Sequence, residues 1–368
     1  MSERTDELLA VPAPTHVSVS PDGATLAVTL VAVEPGADAV TVTLAAIDVA
    51  TGEVSTPPWA ATGRRIATWS NAGDRVALLE GEDAGARVVV ADARTGEARA
   101  LDRAPAPVGP VAWSPDDRRI AYAARRYETI DRTRPFRWTR PVLTFDGLGE
   151  LEDPPQLAVV DVATGDATWA SDDGWRWGNP RWSPDGRFLA ATVFLRRCSS
   201  TRRARGAIWR RGPEPGSVPV PGGHAVATAW LADGRLAVLV ARPEGRMEDA
   251  AISLVDLATD AVERLEVEGH LLFGVVYGDS PAEAADSYDT VLLGDGDRLL
   301  VRTERGGEMA VVSVGSDGRA TVLADGPRCT SPLAVGGGLV VISSQSAERP
   351  AEIHAIARDA RPSPKRVT

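Results

Sequence analysis

Hydrophobic positions along this chain fall into short runs, each introduced by a tight-turn sequence. The runs Thr25-Leu-Ala-Val-Thr-Leu30, Arg75-Val-Ala-Leu-Leu79, Arg119-Ile-Ala-Tyr-Ala123, Arg187-Phe-Leu-Ala-Ala-Thr-Val193 and Arg235-Leu-Ala-Val-Leu-Val240 alternate or are continuously apolar. That pattern reads as strands buried on both faces. Ahead of them stand Val17-Ser-Val-Ser-Pro-Asp-Gly23, Ala67-Thr-Trp-Ser-Asn-Ala-Gly73, Val111-Ala-Trp-Ser-Pro-Asp-Asp117, Pro180-Arg-Trp-Ser-Pro-Asp-Gly186 and Ala229-Trp-Leu-Ala-Asp-Gly234. Leu292-Leu-Gly-Asp-Gly296 and Leu333-Ala-Val-Gly-Gly-Gly338 are degenerate copies. Proline presets φ, Asp or Asn bonds the local backbone, and glycine takes the φ > 0 position, so each copy predicts a turn between antiparallel strands.

A second signature follows each run: Ala46-Ile-Asp-Val-Ala-Thr-Gly52, Val89-Val-Ala-Asp-Ala-Arg-Thr-Gly96, Val159-Val-Asp-Val-Ala-Thr-Gly165, Leu254-Val-Asp-Leu-Ala-Thr-Asp260 and Val312-Ser-Val-Gly-Ser-Asp-Gly318. It ends a third strand and turns into a more polar fourth. A repeating four-stranded unit of this size is a propeller blade. The expectation is an all-β chain, one seven-bladed β-propeller of four-stranded antiparallel blades over residues 1–368. The blades fall at about 15–58, 63–103, 108–170, 178–221, 224–267, 270–325 and 329–367. Six or eight blades remain as alternatives through the degenerate units. Each terminal unit holds all its own strands, so ring closure is expected to rest on packing between the first and last blades. Trp69, Trp113, Trp182 and Trp230 occupy matching repeat positions and are expected in the core.

Composition narrows the chemistry. A net charge of -11 argues against a general nucleic-acid or anionic-membrane binder. No apolar run is long enough to span a membrane, and the charged N-terminus has no signal-like stretch, so a cytoplasmic location is the expectation. Two cysteines, Cys198 and Cys329, make no disulfide framework. The histidines His16, His224, His270 and His354 have no metal-ligand spacing, so neither metal nor cofactor is expected.

The richest candidate stretch lies in the third unit, where Arg132, Arg134, Phe136, Arg137, Trp138 and Arg140 interleave arginine with aromatic rings. Such a loop suits a peptide or carboxylate, through bidentate pairing and stacking. It equally suits docking of a partner domain, or plain solvation. Trp175 and Trp177, in Gly174-Trp-Arg-Trp-Gly178, are candidate interface anchors. A second basic stretch, Arg196 to Arg211, reads more simply as a solvated loop.

The third unit also carries a resemblance. Thr133-Arg-Pro-Phe-Arg-Trp-Thr-Arg140, Phe145-Asp-Gly-Leu-Gly-Glu-Leu-Glu-Asp153, Gln156-Leu-Ala-Val-Val-Asp-Val-Ala-Thr-Gly165 and Asn179-Pro-Arg-Trp-Ser-Pro-Asp-Gly-Arg-Phe-Leu-Ala190 follow in an order that resembles the propeller of S9-family serine peptidases, the prolyl oligopeptidase and acylaminoacyl-peptidase group. The ending Ser343-Ser-Gln-Ser-Ala-Glu-Arg-Pro-Ala-Glu-Ile-His354 resembles that family's last blade. The resemblance implies a substrate-gating propeller whose partner is an α/β-hydrolase domain bearing a Ser-Asp-His triad, with a peptide as ligand. The sequence departs from the family where that domain would begin, at Thr368. No Gly-x-Ser-x-Gly elbow occurs; Gly278-Asp-Ser-Pro-Ala282 lacks the second glycine, and its proline removes an oxyanion-hole N–H. The expectation is therefore a non-catalytic propeller working with a hydrolase domain or subunit supplied elsewhere. The alternatives are a stand-alone binding or scaffold propeller and, last, a propeller enzyme with its own channel site.

Overall fold

The computed structural model describes residues 11–34, 37, 39–81, 85–107, 109–125, 155–171, 176–194, 204–210, 216–217, 224–241, 250–267, 271–272, 291–305, 308–326, 329–346, 348–358 and 365–366. Every strand pairing among them is antiparallel and local in sequence. The first sheet is β1 (Ala13–Val19), β2 (Thr25–Glu34), β3 (Ala39–Asp48) and β4 (Val54–Ser55), hydrogen-bonded in chain order. The second is β5 (Arg64–Trp69), β6 (Arg75–Glu80), β7 (Arg87–Asp92) and β8 (Ala98–Ala100); the third is β9 (Ala112–Trp113), β10 (Arg119–Ala124), β11 (Gln156–Asp161) and β12 (Ala167–Trp169). In the fourth, β13 (Arg176–Trp177) and β14 (Arg181–Trp182) both pair with β15 (Phe188–Phe194), followed by β16 (Ala204–Arg210) and β17 (Gly216–Ser217).

The fifth sheet corrects the expected blade count. It contains β18 (His224–Trp230), β19 (Leu236–Ala241), β20 (Ala250–Asp256), β21 (Ala261–Leu265), β22 (Leu271–Leu272), β23 (Leu292–Asp295), β24 (Arg298–Arg305), β25 (Glu308–Gly315) and β26 (Ala320–Ala324). The units expected at 224–267 and 270–325 are joined because β22 pairs with Ala250 on one side and with Thr303 and Glu304 on the other. The result is one nine-stranded sheet, and the propeller has six blades rather than seven. Its two limbs fold face to face over Leu239, Ile252, Leu292, Leu299, Val301 and Val312. The sixth sheet is β27 (Cys329–Gly336), β28 (Leu339–Ser346), β29 (Arg349–Ala357) and β30 (Lys365–Arg366).

Apolar strands are buried on both faces because each sheet is sandwiched between two others. In β6, Val76, Ala77, Leu78 and Leu79 are all within 1% exposure, but Leu78 packs toward the first sheet and Leu79 toward the third. Side chains this size contribute about 1.5–3 kcal/mol each when fully buried. The repeat tryptophans bind neighbouring sheets together. Trp113 Nε1 donates to Thr68 O at 3.1 Å, Trp182 Nε1 to Ala112 O at 3.1 Å and Trp230 Nε1 to Arg181 O at 3.0 Å. Arg75 lies over Trp113 and Arg119 over Trp182, with guanidinium carbons 5.1 and 4.9 Å from the ring centres. Thus each indole is held by the backbone and, in two cases, by a cation of the sheet before it. Trp69 departs: its ring stands edge-on to Trp59, and its buried Nε1 has no hydrogen-bond partner among the described residues.

Both turn signatures form as the sequence predicts. Ser20 Oγ donates to Asp22 Oδ1 at 2.6 Å, and Gly23 N donates to Ser20 O at 2.9 Å. Ser114–Asp116 and Ser183–Asp185 repeat the hydroxyl–carboxylate bond. Asp117 stands where other copies have glycine and adopts φ of 55°. Its carboxylate accepts Asn71 N (2.9 Å), Asn71 Nδ2 (2.7 Å) and Ala72 N (2.8 Å), bonds that offset the backbone strain and tie the third sheet's turn to the second's. Because strands alternate in direction and these turns touch one another, the first-to-second and third-to-fourth turns share one face. The second-to-third connections leave from the opposite, loop face.

Among the described residues the first and last sheets exchange no strand. β1 packs against β27, and Val17, Val19, Leu26 and Val28 share a core with Ala334, Val341, Ile353 and Ala355. At the turn end of this seam two backbones touch: a Cβ on Gly337 would lie 2.2 Å from Gly23 N, and one on Gly23 would lie 2.4 Å from Gly337 O.

His16 adds a pH dependence on the other side of β1, toward the second sheet. It lies opposite Thr29 in β1, partly exposed overall, but its Nε2 is enclosed with no hydrogen-bond partner among the described residues. Burial lowers its pKa to about 4, against a weaker opposing bond with the Ala67 backbone. Above pH ~6.5 the ring is neutral in both folded and unfolded chains, and its contribution is complete. Between ~6.5 and ~4 the unfolded chain takes a proton that the folded one refuses, so stability falls as the pH falls. The expected loss is up to about 3 kcal/mol at one site. Urea titrations of wild type and His16→Phe over this range should diverge in slope; parallel curves would mean that His16 is not buried neutral.

Candidate functional site

The connections from Ala124 to Gln156, Phe194 to Ala204 and Ala241 to Ala250 start and end at the loop face, whereas the described turns of the turn face are short and repeated. Arg132, Arg134, Phe136, Arg137, Trp138 and Arg140 belong to the first of these connections and lie outside the described residues, as does Trp175. Trp177 is described. It is 2% exposed and packs with Ala121, Leu157, Leu189 and Val193 between the third and fourth sheets. Its backbone N–H donates to Pro155 O at 2.9 Å, so here it serves packing rather than a surface contact.

On the loop-face side of the last two sheets is a polar cluster that sequence reasoning missed. Arg302 in β24 is 4% exposed and donates from Nη1 to Ser331 Oγ of β27 at 3.1 Å. Thr330, Ser344 and Glu352 occupy one cross-strand row of β27, β28 and β29, and His354 follows two residues along from Glu352. His354 Nε2 is 3.6 Å from Glu352 Oε2, beyond a good hydrogen bond and an ion pair only when the ring is protonated. Arg302 follows the inward Leu300 at spacing two, and that parity was the available signal.

The turn face holds a cavity of about 600 Å³ between the second and third sheets, lined by Asp74, Arg75, Asp92, Arg99, Asp117 and Asp161 among others. Its charges are spent on structure. Asp92 accepts Thr95 N (2.7 Å) and Thr95 Oγ1 (2.9 Å), and these bonds, the backbone one first, hold its pKa below the usual range. Asp161 caps Ala163 and Thr164, and Arg99 donates to the carbonyls of Val162 and Ala163. Among the described residues no group of three or more His, Cys, Asp or Glu is placed to hold a metal ion. No helix among them is long and apolar enough to cross a membrane.

No protein-family model matches the chain, and no curated protein does. Solved structures do. Acylaminoacyl peptidase in complex with Z-Gly-Gly-Phe-chloromethyl ketone superposes with a TM-score of 0.71 at 13% identity, over 99% of this chain and 53% of that one. The β-propeller domain of the Trilobed protease from Pyrococcus furiosus, described as having an open velcro topology, gives 0.66 at 12% identity, over 97% and 98%. Oligogalacturonate lyase from Vibrio parahaemolyticus gives 0.63 at 13% identity, over 94% and 90%. The chain thus spans about half the length of the acylaminoacyl peptidase it matches. At these identities the likeness establishes fold: the chain is a β-propeller built like the propeller of S9-family peptidases.

Proposed function

We propose that the chain is the gating propeller of an S9-type peptidase, acting on a catalytic α/β-hydrolase domain or subunit supplied elsewhere. The observation that carries this reading is the contrast between the two faces. The described turns of one are short and uniform. The long second-to-third connections, to which the sequence stretch from Arg132 to Arg140 belongs, begin and end at the other. A cap needs such a surface: it meets the catalytic body, orients a peptide and excludes folded proteins, while bond breaking is done by a triad it does not hold. The likeness to acylaminoacyl peptidase, which covers about half of that protein, supports the same assignment. Arg132, Arg134, Phe136, Arg137, Trp138 and Arg140 are assigned to peptide or hydrolase contact.

The test is co-expression with a candidate α/β-hydrolase from the same genome. The two chains should co-elute, and hydrolysis of short N-acyl peptides should arise only in the mixture. Replacing both Arg134 and Arg137 with alanine should raise KM for peptides ending in a free carboxylate, or break co-elution, while leaving the propeller folded. Failure of every candidate hydrolase to bind sinks the proposal. So does turnover by the purified chain alone, which would favour a propeller enzyme with its own channel site.

A further inference from the structure

We propose that the outer edge of β3 is a self-pairing site, through which two copies of this chain join their first sheets in an antiparallel strand pair about Thr41. This goes beyond the gating function and is independent of it. β3 runs for ten residues, but its outer neighbour β4 pairs only with Ala46 and Ile47. From Ala39 to Ala45 the edge has no partner strand among the described residues. Asp48 N donates to Glu53 O, so Asp48 points its backbone groups outward. Period-two alternation then turns the N–H and C=O of Ala46, Leu44, Val42 and Val40 the same way. Val40, Val42 and Leu44 therefore offer a row of donors and acceptors with no partner strand among the described residues.

Exposed edges of this kind are ordinarily blunted by charge, proline or a bulge. β3 has none of these over Ala39-Val-Thr-Val-Thr-Leu-Ala-Ala-Ile47, and its pairing with β2 is regular throughout. Val40 and Val42 are 63% and 40% exposed, two of the few large apolar side chains left in water. The occupant follows from the sequence of the edge itself. With Thr41 on the two-fold axis, Val40 of each copy stands opposite Val42 of the other. Backbone parity makes both of these hydrogen-bonded pairs, and four valines meet on one face. Thr41 stands opposite Thr41, and no ionised side chain faces its like across the junction, although the chain carries a net charge of -11. Isologous contact of one patch with itself is the usual symmetry of a dimer. A single strand pair covers less than the roughly 1,200–2,000 Å² of a stable interface, so the dimer forms only at high concentration.

Sedimentation velocity over a concentration series tests this. Wild type should pass from monomer toward dimer, and the double variant Val40→Lys, Val42→Lys should stay monomeric, because it sets lysine opposite lysine in both pairs. The variant Val40→Lys, Val42→Glu sets opposite charges across the same pairs and should recover association. Hydrogen exchange on wild type needs no variant: the amides of Val40, Val42 and Leu44 should slow as concentration rises. A wild type that stays monomeric, a double-lysine variant that still dimerises, failure of the lysine–glutamate variant to associate, or exchange independent of concentration would each overturn the proposal.

Discussion

Gly337→Ala is expected to destabilise the chain by about 3–5 kcal/mol, whereas Gly338→Ala, in the same turn, costs only about 1–2. Both glycines have positive φ, 53° and 74°, so both substitutions carry the backbone strain of the left-handed region. Only Gly337 is also crowded. Its added Cβ would meet Gly23 N at 2.2 Å, Gly23 Cα at 2.4 Å and Ser20 O at 2.8 Å, all backbone atoms with no flexible end to move. A Cβ on Gly338 would meet nothing within 4 Å. The difference between the two variants isolates the seam between the first and last sheets. Gly23→Ala presses on the same contact from the other side, so the Gly23→Ala, Gly337→Ala double variant should lose less than the sum of the singles. Urea midpoints measure all four. Equal losses for Gly337→Ala and Gly338→Ala would mean that the two backbones do not touch and that the ring is closed differently.

The second large effect separates the tryptophans that look alike in sequence. Trp182→Ala should cost about 3–5 kcal/mol, since it opens a cavity between the third and fourth sheets where the ring is 8% exposed. The phenylalanine variants divide packing from hydrogen bonding. Trp182→Phe strands the Ala112 carbonyl that the indole N–H occupied at 3.1 Å and removes the larger ring beneath Arg119, an expected loss of about 2 kcal/mol. Trp69→Phe removes an N–H that is buried without a partner among the described residues, so its cost in lost ring area is offset by relief of an unsatisfied donor. It should change stability by less than about 0.5 kcal/mol. Thermal or urea unfolding of the set decides the matter. If Trp69→Phe is as damaging as Trp182→Phe, the indole ladder does not end where the structure ends it.

The repeat could be read because its chemistry is local. Ser20, Pro21, Asp22 and Gly23 build a turn from neighbouring atoms alone, and the apolar runs behind them need only a period to be recognised. The matching tryptophans were legible for the same reason, although nothing in the sequence distinguishes Trp69 from Trp113. The sheet count was not legible. It turns on Leu271 and Leu272, two residues too few to show a period, which pair with Ala250 before them and Thr303 after them. The burial of Trp177, read from the sequence as a candidate interface anchor, was not legible for a related reason. The tryptophan pair in Gly174-Trp-Arg-Trp-Gly178 looks like a loop, but β13 is a detached piece of inner strand that lays Trp177 against Val193 in the core. Arg302 was missed because charge was taken to mean surface. Its place two residues from the wholly buried Leu300 marks it as inward, where Ser331 supplies one of its hydrogen bonds.

The molecule is thereby a ring of sheets whose strong interactions hold sheet to sheet and whose longest second-to-third connections begin and end at one face. The proposed division of labour leaves serine activation to a separate hydrolase, and the sequence has no Gly-x-Ser-x-Gly elbow. Incubating the purified chain with a fluorophosphonate probe, which marks activated serines covalently, addresses that claim most directly. We predict no label on this chain alone, and label on a separate hydrolase when one is present. A labelled serine within these 368 residues would contradict the account.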